Sequence, residues 1–297
     1  MNNPKIAIIL LNWNGKEDTI ECLESLKQIT YTNYEILLVD NGSTDRSVEY
    51  FRKQYPEIEL IENEINLGYA EGNNVGIRVA IEKGADYVLL LNNDTVVDPE
   101  FLSELVKVGD SDRKIGFAGP KIYYYNYNGR KDVINFAGGK LDMWRGISQH
   151  LGLNEIDIGQ YNEIKEVDYI EGSCLLMRKE MLTKIGLLDR SFFSYWEDND
   201  WCRRGYAAGF KSVYVPAARI WHKTSASNIG TAKLYYLTRN RMWFMKKNAT
   251  QTQYIVFLIN FFGYEFWYIC GVLMLYYRDL KKMVSFFNGV IDGLKAR

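Results

Sequence analysis

One pattern, repeated through the first third of the chain, restricts the fold more than any other feature. Short β-rich apolar runs, "KIAIILLNW", "YEILLVDNGS", "IELIENE" and "YVLLLNND", alternate with segments of helical spacing, "KEDTIECLESLKQI", "TDRSVEYFRKQY" and "YAEGNNVGIRVAIEKG". The second of these helical segments has Thr44 or Asp45 placed as its cap. A parallel strand needs a crossover connection, so this alternation implies βαβ units and an α/β fold with a mostly parallel sheet. Ligands of such sheets bind outside the carboxyl ends of the strands. The expected strands end in Asn12 and Asn14, Asp40 and Asn41, Asn66 and Gly68, then Asn92 and Asp94, which are polar residues suited to a crevice.

From about residue 119 to 171 the pattern is less regular and rich in Gly, Tyr and Asn, as loops and short antiparallel strands would be. At 297 residues, 47% of them apolar and 25% charged, the chain is long enough for one α/β domain plus an appendage. A net charge of −1 gives no global attraction to nucleic acid. Cys22, Cys174, Cys202 and Cys270 are scattered without a CxxC pair, the pattern of reduced thiols in a cytoplasmic protein. The N-terminal stretch has no basic region, apolar core and cleavage site of an export signal, so the chain is expected to stay in the cytoplasm.

Four acids stand out chemically: Asp94, Glu197, Asp198 and Asp200. Asp94, at a strand's carboxyl end, is a hard oxygen ligand suited to magnesium or manganese, whose remaining positions substrate phosphates often fill. The same corner would also serve as a turn in which Asp94 or Thr95 caps a following helix. In "WEDND", acids set between aromatic residues favour a raised carboxylate pKa and a general base, and a helix N-terminus would attract the same acids. His222 follows an apolar run, where an imidazole is either structural or a ligand acceptable to manganese. Arg239 and Arg241 suit a diphosphate, or an ordinary solvated helix face. The sequence has no GxGxxG fingerprint and no GxxxxGK[ST] loop, which counts against an NAD enzyme and a P-loop nucleotidase.

Taken in order, "LNWNG", "VDNGSTD", "NLGYAEGNNVG", "LLLNNDT", "EGSCLLMRKE", "IGLLDRSFFSYWEDNDWCRRG", "WHKTS" and "YYLTRN" resemble the family 2 glycosyltransferases of the GT-A fold. The likeness is greatest to their rhamnosyltransferase-like branch. It implies a Rossmann-like nucleotide-binding sheet with helices on both faces, a nucleotide-sugar donor, a divalent metal (Mg or Mn) and inversion at the anomeric carbon. Asp40 then looks like the acid that contacts the nucleobase, with Asn12 and Asn14 near the nucleoside and Asn66, Gly68 and Asn73 closing the pocket. Asn92, Asn93 and Asp94 occupy the D-x-D region, so Asp94 resembles the metal ligand, completed by His222. Asp198 matches the catalytic base, with Glu197 beside it, and Arg239 looks like a diphosphate contact. The first D-x-D position is Asn92 in place of an acid, which leaves more of the coordination to donor phosphates.

A catalytic domain over 1–245 and a C-terminal helical segment over 246–297 are expected. The segment "YIVFLINFFGYEFWYICGVLMLYY" is long enough to span a bilayer, but Glu265 and its many aromatic residues favour a helix lying at the interface. Packing on the catalytic domain or a partner remains the other reading. The expected partners are a nucleotide-sugar donor (dTDP-rhamnose as the branch suggests), a glycan or lipid-linked acceptor, and the inner face of the cell membrane. The competing class is a sugar-nucleotide-binding scaffold of the same fold without turnover.

Overall fold

The computed structural model describes residues 3–223 and 230–295. Its N-terminal third follows the expected alternation: β1 (Ile6–Asn12), α1 (Lys16–Leu26), β2 (Tyr34–Asp40), α2 (Ser47–Gln54), β3 (Glu59–Glu62), α3 (Gly68–Glu82) and β4 (Tyr87–Asn92). These four strands are parallel and lie in the order β4-β1-β2-β3. Two steps run one way, from β1 to β2 to β3, and α3 then carries the chain back past both to β4. Right-handed crossovers place α3 on the face opposite α1 and α2. Strand β1 is accordingly covered on both faces, with Ile6 to Leu10 at most 0% exposed. The reversal between β1 and β4 opens a crevice at their carboxyl ends.

Beyond β4 the chain forms β5 (Thr95–Val97), α4 (Phe101–Ser111), β6 (Ile115–Tyr124), β7 (Ile134–Phe136), β8 (Gly139–Asp142), β9 (Ile147–His150), β10 (Lys165–Val167) and β11 (Cys174–Arg178). Helices α5 (Lys179–Ile185) and α6 (Glu197–Ala207) and strand β12 (Lys211–His222) follow. Here the sheet is mixed: β11 is antiparallel to β4 and β6, β12 is parallel to β6, and β10 is antiparallel to β12. The parallel arrangement read from the sequence thus belongs to the β4-β1-β2-β3 half.

Two local readings change. The "IGFAGPKIYY" run, of which everything from Gly119 on was expected to be irregular, is the fully buried strand β6. Asp94 caps no helix, because the turn after β4 leads into β5 and α4 starts only at Phe101. At α2, Asp45 accepts from the Ser47 backbone at 3.0 Å, so the acid and not Thr44 serves the helix start.

Helix α7 (Thr231–Asn248) runs through the boundary expected at 245. It is followed by a helix at Gln251–Tyr276, here α8, and by α9 (Leu280–Leu294). Met242, Phe244 and Met245 of α7 share a second apolar core with Phe257, Phe261, Leu273, Phe286 and Val290 of the tail, and with Phe192 and Trp196. The tail is therefore packed on the segment that precedes α6.

Candidate active site

The crevice floor is a network of amides. Asn12 at the end of β1 is fully buried, and its Nδ2 donates to Asp40 Oδ2 at 2.8 Å and to Ser43 Oγ at 3.2 Å. Its Oδ1 accepts from the Gly15 backbone and the Thr19 hydroxyl, each at 3.1 Å, and from Asn93 Nδ2 at 3.3 Å. Asn93 Nδ2 also donates to Thr19 Oγ1 at 2.8 Å. Asn12 and Asn93 therefore brace the ends of β1 and β4 from beneath, and Asp40 Oδ1 accepts from the Ser43 backbone at 2.9 Å. Asn14, at φ 53°, accepts from the Thr44 backbone at 2.7 Å and closes the rim.

On the far side of the crevice Asn41 links β2 to α3. Its Nδ2 donates to Asn66 Oδ1 at 3.0 Å and the Gly68 carbonyl at 3.1 Å, while its Oδ1 accepts from Asn63 and the Leu67 backbone. Gly68 sits at φ 81°, and a Cβ there would stand 2.5 Å from the Phe193 ring. Glycine is required on both counts. Asn73 is buried and its Nδ2 donates to the Tyr69 carbonyl at 2.9 Å, and Asn74 bridges Glu71 and Leu188. Both asparagines secure α3 rather than face open space.

Asp94 lies at the tip between β4 and β5, with its Oδ1 3.0 Å from Nε2 of His222 at the end of β12. Asn92 Nδ2 stands 3.4 Å from the same nitrogen. Antiparallel pairing of Thr95 with His222 fixes this meeting. Burial works to raise the Asp94 carboxyl, but the His222 hydrogen bond and charge outweigh it and hold the pKa below its ordinary value. Burial likewise opposes charge on His222, and the Asp94 carboxylate overcomes it and raises the imidazole. Each group thus favours the charged form of the other. In an octahedral ion with bonds near 2.1 Å, neighbouring ligand atoms lie about 3.0 Å apart, so this oxygen and nitrogen fit two positions on one divalent cation. Among the described residues no group of three or more His, Cys, Asp or Glu is placed to hold a metal ion, so a cation here would complete its shell from ligand oxygens.

A cavity of about 480 Å³ joins this corner to the start of α6, and Asn92, Glu171, Ser173, Asp198, Tyr195 and Lys233 are among the residues that line it. Asp198 Oδ2 accepts from the Gly172 backbone at 3.0 Å, and its Oδ1 accepts from the backbone and side chain of Asn199, both at 2.8 Å. Burial raises its pKa against those hydrogen bonds. Glu197 is buried, and desolvation, reinforced by the Asp198 charge, pushes its carboxyl well above the usual range. Burial therefore disfavours the charged form of both acids, and of Glu197 the more strongly. The Tyr169 hydroxyl, Glu171 Oε2, Ser173 Oγ and Glu197 Oε2 are buried without a hydrogen-bond partner among the described residues. Buried polar atoms normally find partners, and four unpaired along one cavity mark it as a place where a polar ligand is received.

Residues 7–186 match the family model described as glycosyl transferase family 2, more than half of the chain. The chain is a family 2 glycosyltransferase. A hexosyltransferase of low-salt glycan biosynthesis from Haloferax volcanii, Agl10, is 24% identical over 98% of this chain and 92% of its own. An N-acetylglucosaminyl-diphospho-decaprenol L-rhamnosyltransferase of Mycobacterium tuberculosis is 28% identical over 69% of this chain and 71% of its own. These relatives place the glycosyltransferase in the rhamnosyltransferase-like branch. The solved mannosyltransferase PcManGT from Pyrobaculum calidifontis, in complex with GDP-Man and Mn2+, superposes with a TM-score of 0.59 at 14% identity, covering 99% of this chain and 88% of that one. The fold is thereby GT-A-like.

In this glycosyltransferase Asp94, His222 and Asn92 meet at one corner and Asp198 faces the joined cavity. Arg239 does not reach it. Its Nη2 donates to the carbonyls of Ser191 and Phe192 at 2.9 and 2.8 Å, and its Nε to Asn240 Oδ1 at 2.8 Å. The basic side chain lining the cavity is instead Lys233, one helical face away, with its ammonium 5.5 Å from the Tyr195 ring centroid. Its position in α7 just after the "WHKTS" segment is the only signal the sequence carries for it. Asn41 was visible as a strand-end residue, but its bracing role depends on four partners that only the fold assembles.

Proposed function

We propose that this glycosyltransferase moves a sugar, with inversion, from a nucleoside diphosphate donor to a hydroxyl of a glycan or lipid-linked glycan. The observation that carries the proposal is the continuity of one cavity from Asn92, beside the Asp94–His222 pair, to Asp198. In it the Asp198 carboxylate takes the proton of the attacking hydroxyl, and its burial tunes it toward that task. Glu197, whose burial disfavours its charged form, keeps a second charge away from the base. Asp40 meets the nucleobase, and Asn14, with the α3 N-terminus at Gly68, borders the nucleoside. Asp94 and His222 would hold a magnesium or manganese ion, which supplies Lewis-acid neutralisation of the leaving diphosphate. The manganese in the PcManGT structure supports this use of a cation.

The name of the Mycobacterium relative supports a rhamnosyl donor, with dTDP-rhamnose the first to test, and a polyprenyl-diphosphate glycan as acceptor. The tail supports action at the cytoplasmic face of the membrane: α8 is 26 residues long with a mean hydropathy of 1.6 over its most apolar window, and is long and apolar enough to cross a bilayer. We assign the residues before α8 to catalysis, and packing and membrane contact to α8 and α9. The test is nucleoside diphosphate release from dTDP-rhamnose, UDP-N-acetylglucosamine and GDP-mannose with a polyprenyl-diphosphate glycan, in wild type and Asp198→Asn. Equal turnover in the two proteins removes Asp198 as base.

A further inference from the structure

The loop that leads into the base is held in a conformation its side chains oppose. Phe193, Tyr195 and Trp196 have φ of 64°, 70° and 74°, in the left-handed region where aromatic residues are outliers. Such a backbone persists only where its surroundings over-determine it. Two neighbouring side chains of α7 do so. Asn240 Nδ2 donates to the carbonyls of Phe192, Ser194 and Tyr195 at 2.8, 2.7 and 2.8 Å, and Arg239 Nη2 to those of Ser191 and Phe192. Asn240 is fully buried and Arg239 nearly so, with the guanidinium 4.1 Å from the Trp243 ring centroid and 4.9 Å from that of Tyr236.

This loop touches both halves of the site. Its Phe193 carbonyl accepts from the Ala70 backbone at 3.1 Å, beside Gly68 on the donor side, and its C-terminal end becomes the first turn of α6, which carries Asp198. Behind the two clasping residues α9 is pressed close to α7. A Cβ at Gly293 would stand 2.7 Å from Met242 Cβ and 3.1 Å from the Arg239 carbonyl, and one at Gly289 would stand 2.9 Å from Thr238 Cβ. The turn bearing Arg239 and Asn240 is thus backed by a helix as well as tied in front.

We propose that Arg239 and Asn240 are positioning residues: they clasp the 191–196 loop and so aim Asp198 into the cavity, and neither contacts the donor diphosphate. The proposal rests on the assignment of Asp198 as base. Asn240→Asp keeps the side-chain volume but turns an acceptor toward three carbonyls. Arg239→Lys keeps the charge but loses the fork that reaches two carbonyls.

Steady-state turnover, its pH profile, and calorimetric affinity for UDP and dTDP with manganese are measured for both variants, for Arg239→Ala and for Asp198→Asn. Displacement of a reacting group by about 1 Å costs roughly 100-fold in rate. Each clasp variant is therefore expected to lose about 10–100-fold in kcat and to shift the pH profile, with nucleotide affinity within about twofold of wild type. Loss of nucleotide affinity in Arg239→Ala that Arg239→Lys restores overturns the clasp in favour of a diphosphate contact, as does unchanged kcat in both variants. Should Asn240→Asp fail to fold, Asn240→Ser with the same readouts decides. If Asp198→Asn turns over normally while the clasp variants lose activity, the base assignment fails and the loop-positioning role stands. If Asp198→Asn is inactive and the clasp variants are not, the clasp alone fails.

Discussion

Asp94 Oδ1 and His222 Nε2 meet at 3.0 Å, an anionic oxygen and an imidazole nitrogen brought from two strands to one corner of the crevice. With Asn92 where the D-x-D pattern has an acid, the proposed cation site holds one carboxylate and one imidazole. Manganese titrated into the free enzyme is expected to bind weakly, and at least about tenfold more tightly, about 1.4 kcal/mol, once UDP or dTDP is present. Asp94→Asn abolishes that gain. Calorimetry checks it, and tight binding without nucleotide would mean that another acid holds the ion.

Asp198 must be ionised to accept a proton, and its burial raises the pKa above the ordinary aspartate value. The kcat profile is therefore expected to climb with pH through an apparent pKa higher than about 3.9. Removing the proposed base in Asp198→Asn is expected to lower kcat by about 10²–10⁴-fold. A single-turnover pH series reads both effects, and a wild-type profile that is flat down to pH 4 counts against the raised base.

Glu197 is buried with Oε2 unpartnered, and its folded-state pKa lies well above the unfolded one. The folded chain therefore holds a proton that the unfolded chain releases, so this group favours folding at low pH. That contribution is lost as pH rises from about 4.5 through the raised value. Glu197→Gln removes the dependence. Its melting temperature is expected to exceed wild type by about 2–4 °C at alkaline pH, where each kcal/mol moves a chain of this size by about that much. The difference shrinks toward pH 4. Calorimetric scans across pH decide it, and a variant less stable at every pH would show that the carboxylate has a partner.

Where the fold was legible in the sequence, local pattern and global fold agree. The β1 to β4 runs are apolar, bounded by turns and separated by helices of ordinary length, so period and punctuation pointed the same way. Strand β6 was lost because Gly116, Gly119 and Pro120 interrupt it. Those glycines answer to packing: a Cβ at Gly119 would stand 2.0 Å from Ile170, and one at Gly116 2.3 Å from Met181. No local pattern announces a neighbour supplied by a distant segment. The same holds at the site. Asp94, Asp198 and His222 are recognisable by type and motif. Arg239 also fits its motif, yet its guanidinium is spent on the carbonyls of a loop whose left-handed backbone the sequence gives no sign of.

Gly68 and Gly84 form a matched pair for testing how tightly the donor side is built. Both have φ near 80°, but a Cβ at Gly84 meets nothing within 4 Å, whereas one at Gly68 collides with the Phe193 ring and carbonyl. Gly84→Ala should cost only backbone strain, about 1 kcal/mol. Gly68→Ala adds a clash with a loop that cannot yield, and is expected to cost about 2–4 kcal/mol and to weaken nucleotide binding. Urea melts and UDP titration separate the two. Equal stability losses would show that the 193 loop moves aside freely.

Glu265, the acid in the middle of the apolar tail, is turned inward. It pairs with both terminal nitrogens of Arg241, whose Nε also donates to the Gly146 carbonyl at 2.6 Å. The charge that argued against a bilayer-spanning helix is thereby neutralised on the protein side. What α8 shows to solvent includes Ile255, Ile259, Tyr264, Trp267, Tyr268 and Leu275, and Arg278, Lys281 and Lys282 follow it. An apolar face with aromatic residues and flanking basic residues suits the interface of an anionic bilayer. The enzyme is expected to co-sediment with vesicles of phosphatidylglycerol and phosphatidylcholine, and less with phosphatidylcholine alone. Trp267→Glu with Leu275→Glu should weaken that binding at least tenfold, since each buried large side chain is worth about 1.5–3 kcal/mol. Turnover of a water-soluble acceptor should be unchanged, because neither residue lies near the cavity. Vesicle binding that survives both substitutions would assign the exposed face of α8 to a protein partner.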